Sequence, residues 1–186
     1  MKVKLGVSNR HVHLSEDILK ILFDGDLTKK RDLIQEGHYA CEETVDIKTD
    51  KGVIKNVRVL GPIRSYTQVE ISKTDAYKLG INPPVRDSGD LQNAAAVTLV
   101  SDKAEVEVKE SCIIATRHIH LTPKDISKYG LEGVEKVSVK AEGIKGSMLE
   151  NVFLKIDDSF TLELHLDTDD ANANLLKTGD LLDVIK

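Results

Sequence analysis

Aromatic residues are scarce in this 186-residue chain, at 4% with no tryptophan, and its net charge is −5. A nucleic-acid surface needs basic side chains against phosphates and aromatic faces against bases, so both scarcities argue against one. No apolar run approaches the roughly 20 residues of a membrane-spanning helix. The opening MKVKLGVSNRHVHLS is too polar to read as a secretory signal. Only two cysteines occur, Cys41 and Cys112, and they form no C-x-x-C pair. That argues against a disulfide framework or a thiolate zinc knuckle; the plain reading of both is as small buried residues in a reducing cytoplasm. A glycine-rich phosphate loop, a G-x-S-x-G elbow and a dinucleotide fingerprint are also missing. What remains is an ordinary folded composition, 40% hydrophobic and 31% charged, long enough for one large domain or two small ones.

The chain repeats itself. Residues 9–15 read NRHVHLS and residues 116–122 read TRHIHLT. Each copy runs into a helix start, with Ser15 or Thr122 as the hydroxyl cap, acids in the first turn, and Pro123 at the first helical position of the second copy. Further on, QVEISKTDA at 68–76 answers ELHLDTDDA at 163–171, and aligning the Asp-Ala pairs sets Glu70 opposite His165. Both segments lead into helix-like stretches ending at Gly80 and Gly179. Between the paired motifs lie alternating runs. Val45 and Ile47, then Val57 and Val59, share faces in the first half; Val137 and Val139, then Val152 and Leu154, do so in the second.

This pattern predicts a mainly β (α+β) fold with short helices, built as two pseudo-repeated small β-barrel domains. The expected halves are residues 1–92 and 93–186, with strands open to exchange between them. PPVRDSGDLQN reads as the connecting loop, 96–100 with 104–108 as a hairpin, and Ile18–Phe23 as a core helix.

Five of the six histidines lie in the repeated motifs. On a strand, residues i and i+2 face the same way, so His11 projects with His13 and His118 with His120. A lone H-x-H is often only polar surface. Two copies, each with a third donor in matching register, predict two metal sites: His11, His13 and Glu70, and His118, His120 and His165. Two histidines with a carboxylate, and three histidines, are both donor sets of catalytic zinc with an open position. Cobalt or another divalent ion also suits such donors.

Other residues read less sharply. Arg64, six residues before Glu70, suits phosphate recognition through its planar fork, but a surface ion pair fits the spacing equally well. Arg86 and Ser88 read as loop-fixing, Asp167, Asp169 and Asp170 as supporting or helix-capping acids, and His38 as structural or exposed.

RHVHLS, VRVLGPIRSYTQVEIS, PVRDSG, ATRHIHLT and HLDTDDANA, in this order, resemble the signature blocks of the PduL-type phosphate acyltransferases, also called phosphate propanoyltransferases. The resemblance runs from about residue 5 to about residue 180. It implies two β-barrel domains assembled as a homodimer, two zinc ions on the two donor sets above, and phosphate held by Arg64. It places coenzyme A against Val7, Ser8, Asn9, Lys51, Arg58 and Asn172. The activity implied is exchange of phosphate and coenzyme A on a propanoyl or acetyl group, by zinc-assisted direct transfer in a ternary complex. No serine or cysteine with a partner base is visible for a covalent route. Thr116 and the stretch AEGIKGSMLENV depart from the family pattern away from the metal donors, which bears on substrate fit. No amphipathic extension precedes the first motif, so a free cytoplasmic enzyme is expected rather than one packed in a microcompartment. Two other readings use the same donors: a dinuclear zinc hydrolase of thioesters or phosphoesters, and a non-catalytic metal- or coenzyme-binding protein.

Overall fold

A computed structural model describes residues 1–186. Its elements begin with β1 (Lys2–Ser8), β2 (His11–His13), α1 (Glu16–Leu22), β3 (Lys29–Asp32), β4 (Tyr39–Lys48), β5 (Val53–Gly61) and β6 (Gln68–Glu70). The middle of the chain forms α2 (Lys73–Leu79), β7 (Val85–Arg86), β8 (Ala95–Val100), β9 (Glu105–Ala115), β10 (His118–Leu121) and α3 (Pro123–Tyr129). The rest is β11 (Lys136–Lys140), β12 (Met148–Ile156), β13 (Glu163–Asp167), α4 (Thr168–Ala173) and β14 (Leu181–Ile185).

The chain divides into two compact units, one of residues 10–115 and one of residues 1–9 with 116–186. Both are closed six-stranded barrels, in agreement with the fold class expected from the repeat. In the unit of residues 10–115 the ring runs β4-β5-β2-β6-β9-β8 and closes where β8 pairs with β4. In the other unit it runs β1-β13-β10-β12-β11-β14 and closes where β14 pairs with β1. The pairings correspond one for one. Each H-x-H strand runs parallel to one neighbour, β5 or β12, and antiparallel to the other, β6 or β13.

The division differs from the expected halves at 1–92 and 93–186. Residues 93–115 belong with the first motif, because β9 pairs with β6, β7 and β8. Residues 1–9 belong with the second, because β1 pairs with β13 and β14. The strand preceding each H-x-H motif is thus built into the barrel of the other motif. Closing each ring pairs every barrel edge, which removes the exposed strands that an open sheet would present.

Alternation sets the ring's inner face. Val12 and Ile119, the central residues of the two H-x-H motifs, are fully buried in the two separate cores. Val45, Ile47, Val57, Val59, Leu99 and Cys112 pack with Val12, and Leu5, Val137, Val139, Val152 and Leu164 pack with Ile119. Burying each of these side chains contributes about 1.5–3 kcal/mol. A one-residue slip would expel them and turn the histidines inward, so the core fixes the histidines' direction.

Helix starts follow the local signals with one exception. Ser72 and Thr122 cap α2 and α3 through reciprocal boxes with Asp75 and Asp125, and Pro123 opens α3. Ser15 makes no capping bond, because its hydroxyl is paired with that of Thr67 at 2.8 Å. α1 buries Ile18, Leu19 and Leu22, as expected of a core helix. The helix-like stretch expected to end at Gly179 stops short of it. α4 stops at Ala173, where Asn174 leaves helical geometry and Leu175 takes φ 57°. Gly179 instead supplies a turn at φ 97°, its N–H donating to Leu5 O.

Candidate metal centres

In the unit of residues 10–115, β2 is only three residues long and lies between β5 and β6. His11 pairs in register with Glu70 across the antiparallel side, and their Nε2 and Oε2 atoms are 3.5 Å apart. The His11 and His13 rings meet edge-on with centroids 5.1 Å apart. The His13 Nδ1–H lies 3.2 Å from Leu60 O, which leaves Nε2 as the lone-pair nitrogen. Burial holds the His13 pKa well below 6.5, and the nearby charges of His11 and Arg64 lower it further. A neutral imidazole is the form that binds a metal.

In the other unit His118 pairs in register with His165. The three imidazoles His118, His120 and His165 have mutual centroid distances of 4.8, 4.9 and 4.5 Å, and Phe160 stacks on His120 at 4.0 Å. His118 Nδ1 lies 2.8 Å from Thr116 O, again directing a single nitrogen outward.

In both groups one donor atom per residue lies within 4.8 Å of the others. An ion bonded at about 2.0–2.1 Å holds tetrahedral donors roughly 3.3 Å apart, so small side-chain rotations close either set. One buried atom supports this fit directly. His165 Nε2 makes no hydrogen bond, although Glu163 Oε2 is 3.1 Å away. An imidazole nitrogen buried beside a carboxylate without a good hydrogen bond has the surroundings of a metal donor.

Arg64 is placed by the backbone. Its N–H donates to Leu14 O at 2.9 Å, just after β2, and Ser15 and Arg64 form a parallel bridge. Its Nη1 reaches Ser88 Oγ at 3.1 Å, and the guanidinium sits 5.9 Å from the Tyr66 ring centroid. From Ser88 the contacts continue to the metal-type donors. Gln68 Nε2 donates to Ser88 Oγ at 2.8 Å and to Glu70 Oε1 at 2.6 Å, while Gly89 N–H donates to Gln68 Oε1 at 2.8 Å. The loop-fixing role expected of Ser88 is therefore coupled to Arg64. Arg86 bonds to the backbone of Gln92 and faces Asp90.

The remaining expected residues fall in two places. Val7, Ser8 and Asn9 end β1, where Val7 N–H donates to Thr178 Oγ1 and Ser8 pairs with Asp167, the cap of α4. Asn172 is on α4, which packs near β1 in that same unit. Lys51 and Arg58 belong to the other unit and are not adjacent: Lys51 tops the β4–β5 hairpin, about 17 Å of strand from Arg58. Arg58 pairs in register with His11 and donates from Nη1 to Cys41 O and Glu42 O, at 2.9 and 2.8 Å. The His38 ring lies against Glu36 O and away from both donor groups' motifs in sequence.

Three features were not read from the sequence. Glu163, in register with His120 and on the same face as His165, is buried where Gly6 leaves room: a Cβ on Gly6 would lie 2.8 Å from its carboxylate. The period-two spacing of ELH was the available signal. Gln68, in the equivalent position opposite His13, carries an amide where Glu163 carries an acid. The third is a pair of Arg–Asp bridges, Arg10 to Asp75 and Arg117 to Asp170.

A profile of the family described as phosphate propanoyltransferase matches residues 4–177. The chain is similar to the phosphate propanoyltransferase of Thermotoga maritima, 48% identical over 185 residues covering 98% of this chain and 88% of the relative. It is also similar to that of Priestia megaterium, at 49% over 180 residues with 96% and 83% covered. The enzyme of that name from Salmonella typhimurium is 46% identical over 173 residues, with 92% and 82% covered. The protein is therefore an enzyme of the acyltransferase class. Within that class, it belongs to the phosphate propanoyltransferase family. No helix is long and apolar enough to cross a membrane.

Proposed function

We propose that this enzyme interconverts acyl-CoA plus phosphate with acyl phosphate plus coenzyme A, on a propanoyl or acetyl group, by direct zinc-assisted transfer. The relatives' name supports phosphate and the propanoyl group. The observation that carries the mechanism is the presence in each unit of a three-donor group, one of them with Arg64 beside it.

His11, His13 and Glu70 would hold one zinc, and His118, His120 and His165 the other. Zinc so held supplies Lewis acidity, lowering the cost of a coenzyme A thiolate and of negative charge on the acyl oxygen. Arg64 binds phosphate. Both of its side-chain hydrogen bonds within the protein leave from Nη1, so the rest of its fork stays available for oxygens. A phosphate oxygen attacks the thioester carbonyl carbon, the carbon–sulfur bond breaks, and the sulfur leaves as thiolate. The reverse reaction runs the same atoms backward. Holding both substrates at once replaces a bimolecular encounter with an oriented one.

Neither cysteine offers a covalent alternative. Both are buried, and burial pushes the Cys41 thiol up to about 11 and the Cys112 thiol up to about 12. Coenzyme A contacts are assigned to Val7, Ser8, Asn9 and Asn172, on or just after the neighbouring elements β1 and α4, and to Lys51 and Arg58. Arg58, like Arg64, bonds within the protein only from Nη1. A cytoplasmic homodimer is the working form, supported by the family resemblance and by two free cysteines.

The test is product identification. Propanoyl-CoA with phosphate should give propanoyl phosphate by phosphorus NMR, and intact mass should show no acylated protein when phosphate is omitted. A stable acyl-protein adduct would overturn direct transfer, and free propanoate formed without phosphate would indicate a thioesterase.

A further inference from the structure

The two H-x-H motifs share more than their histidines. The residue before each is arginine, and each arginine crosses to an aspartate five residues beyond the third donor. Arg10 Nε lies 2.9 Å from Asp75 Oδ2, and Asp75 follows Glu70. Arg117 grips Asp170 with both arms, Nε to Oδ2 at 2.8 Å and Nη2 to Oδ1 at 2.7 Å, and Asp170 follows His165. Both aspartates sit in the first turn of the helix after the donor strand. Asp75 closes the capping box of α2, and Asp170 N–H donates to the cap Asp167 at 2.8 Å. Arg117 also donates from Nη1 to Glu150 O on β12, the other neighbour of β10. The Asp75 and Asp170 side chains are only 5% and 21% exposed, so these charge-assisted bonds are shielded from water.

Such a bridge has a task here that the strands cannot perform alone. β2 and β6 are three residues each, and β10 and β13 are four and five. Ladders this short hold their register with few hydrogen bonds, yet a one-residue slip would turn a donor away from its partners. Each Arg–Asp bridge joins the start of the histidine strand to the exit of the third-donor strand. With the ladder, it closes a frame around the donor group.

We propose that Arg10–Asp75 and Arg117–Asp170 are positioning pairs, each of which sets the metal affinity of the three-donor group in its own unit. This rests on the reading that those groups bind metal. It assigns a role to two Arg–Asp pairings that the sequence alone did not reveal. Two independent occurrences, at the same offsets from different donor sets, argue against a chance surface ion pair.

The experiment isolates one group at a time. In an His11→Ala/His13→Ala background, only the second group remains, and zinc or cobalt affinity is measured by chelator competition with and without Arg117→Met. Loss of an outer partner of metal ligands typically costs about 10–100-fold in affinity, and that weakening is the expected result. Arg117→Lys should recover part of it. In the mirror background, His118→Ala/His120→Ala, Arg10→Met should weaken the first group, while Arg117→Met should leave it unchanged. Far-UV circular dichroism and metal-free Tm report folding, and Asp170→Asn replaces Arg117→Met, or Asp75→Asn replaces Arg10→Met, where the arginine variant does not fold. Affinity unchanged within about twofold alongside a lowered Tm would show a merely structural pair and overturn the proposal. A wild-type protein binding no metal would instead overturn the reading on which it rests.

Discussion

His11 and Glu70 face each other across the antiparallel pair of β2 and β6, with Nε2 and Oε2 3.5 Å apart. His118 and His165 occupy the same register across β10 and β13. One site thus carries a carboxylate where the other carries an imidazole, which gives the two groups different charge and different selectivity.

Glu70→Gln keeps the shape of that donor and its place beside Gln68 while removing the charge. We expect metal affinity at the first group to fall by more than the about 10–100-fold typical of outer partners, with the second group still loaded. Metal content after dialysis against a buffered chelator checks this. Full retention of metal at both groups would remove Glu70 from the donor set.

Arg64→Lys keeps a charge but loses the planar fork and its link to Ser88. A hydrogen bond to a charged group contributes about 1.5–3 kcal/mol, so kcat/KM for phosphate should fall by roughly 10–150-fold. The KM for acyl-CoA should change little. An equal loss toward both substrates would mean that Arg64 shapes the site instead of binding phosphate.

Ser88→Ala removes the hydroxyl shared by Arg64 and Gln68. One ordinary hydrogen bond, about 0.5–1.5 kcal/mol, corresponds to roughly a 2–13-fold rise in the phosphate KM. The double variant with Arg64→Lys should cost less than the sum of the two, because the residues act in series. Strict additivity would show that they act separately.

Burial raises both cysteine pKa values, Cys41 to about 11 and Cys112 to about 12, so both remain neutral thiols at pH 8. Because the thiolate is the reactive form, thiol reagents should label neither residue in the native protein and both after denaturation. Rapid native labelling of either, counted by mass, would contradict this.

Much of the site was legible because it rests on alternation within single strands. His11 and His13 project together because Val12 must enter the core, and the same holds for His118, His120 and Ile119. The repeat then matched Glu70 to His165 from the shared Asp-Ala pair. Of the two aspartates in that pair, Asp75 served only as an alignment mark, and Asp170 was read as a supporting or helix-capping acid without its partner. Their bridges to Arg10 and Arg117 span 65 and 53 residues, and local pattern carries no information at that range. The barrel contents were left open for a related reason. The alternation of β1 and β9 shows that each buries one face but not against which partners, so exchange between the halves could be allowed for without naming the strands. The helix expected to end at Gly179 failed because Leu175 adopts a left-handed conformation that its residue type does not announce.

The most direct test of the central claim is release of free thiol from propanoyl-CoA, measured with and without phosphate, before and after chelation and zinc readdition. The account predicts release only when phosphate and metal are both present, with propanoyl phosphate formed in equal amount. Undiminished release from the chelated, metal-free protein, or release that needs no phosphate, would contradict it.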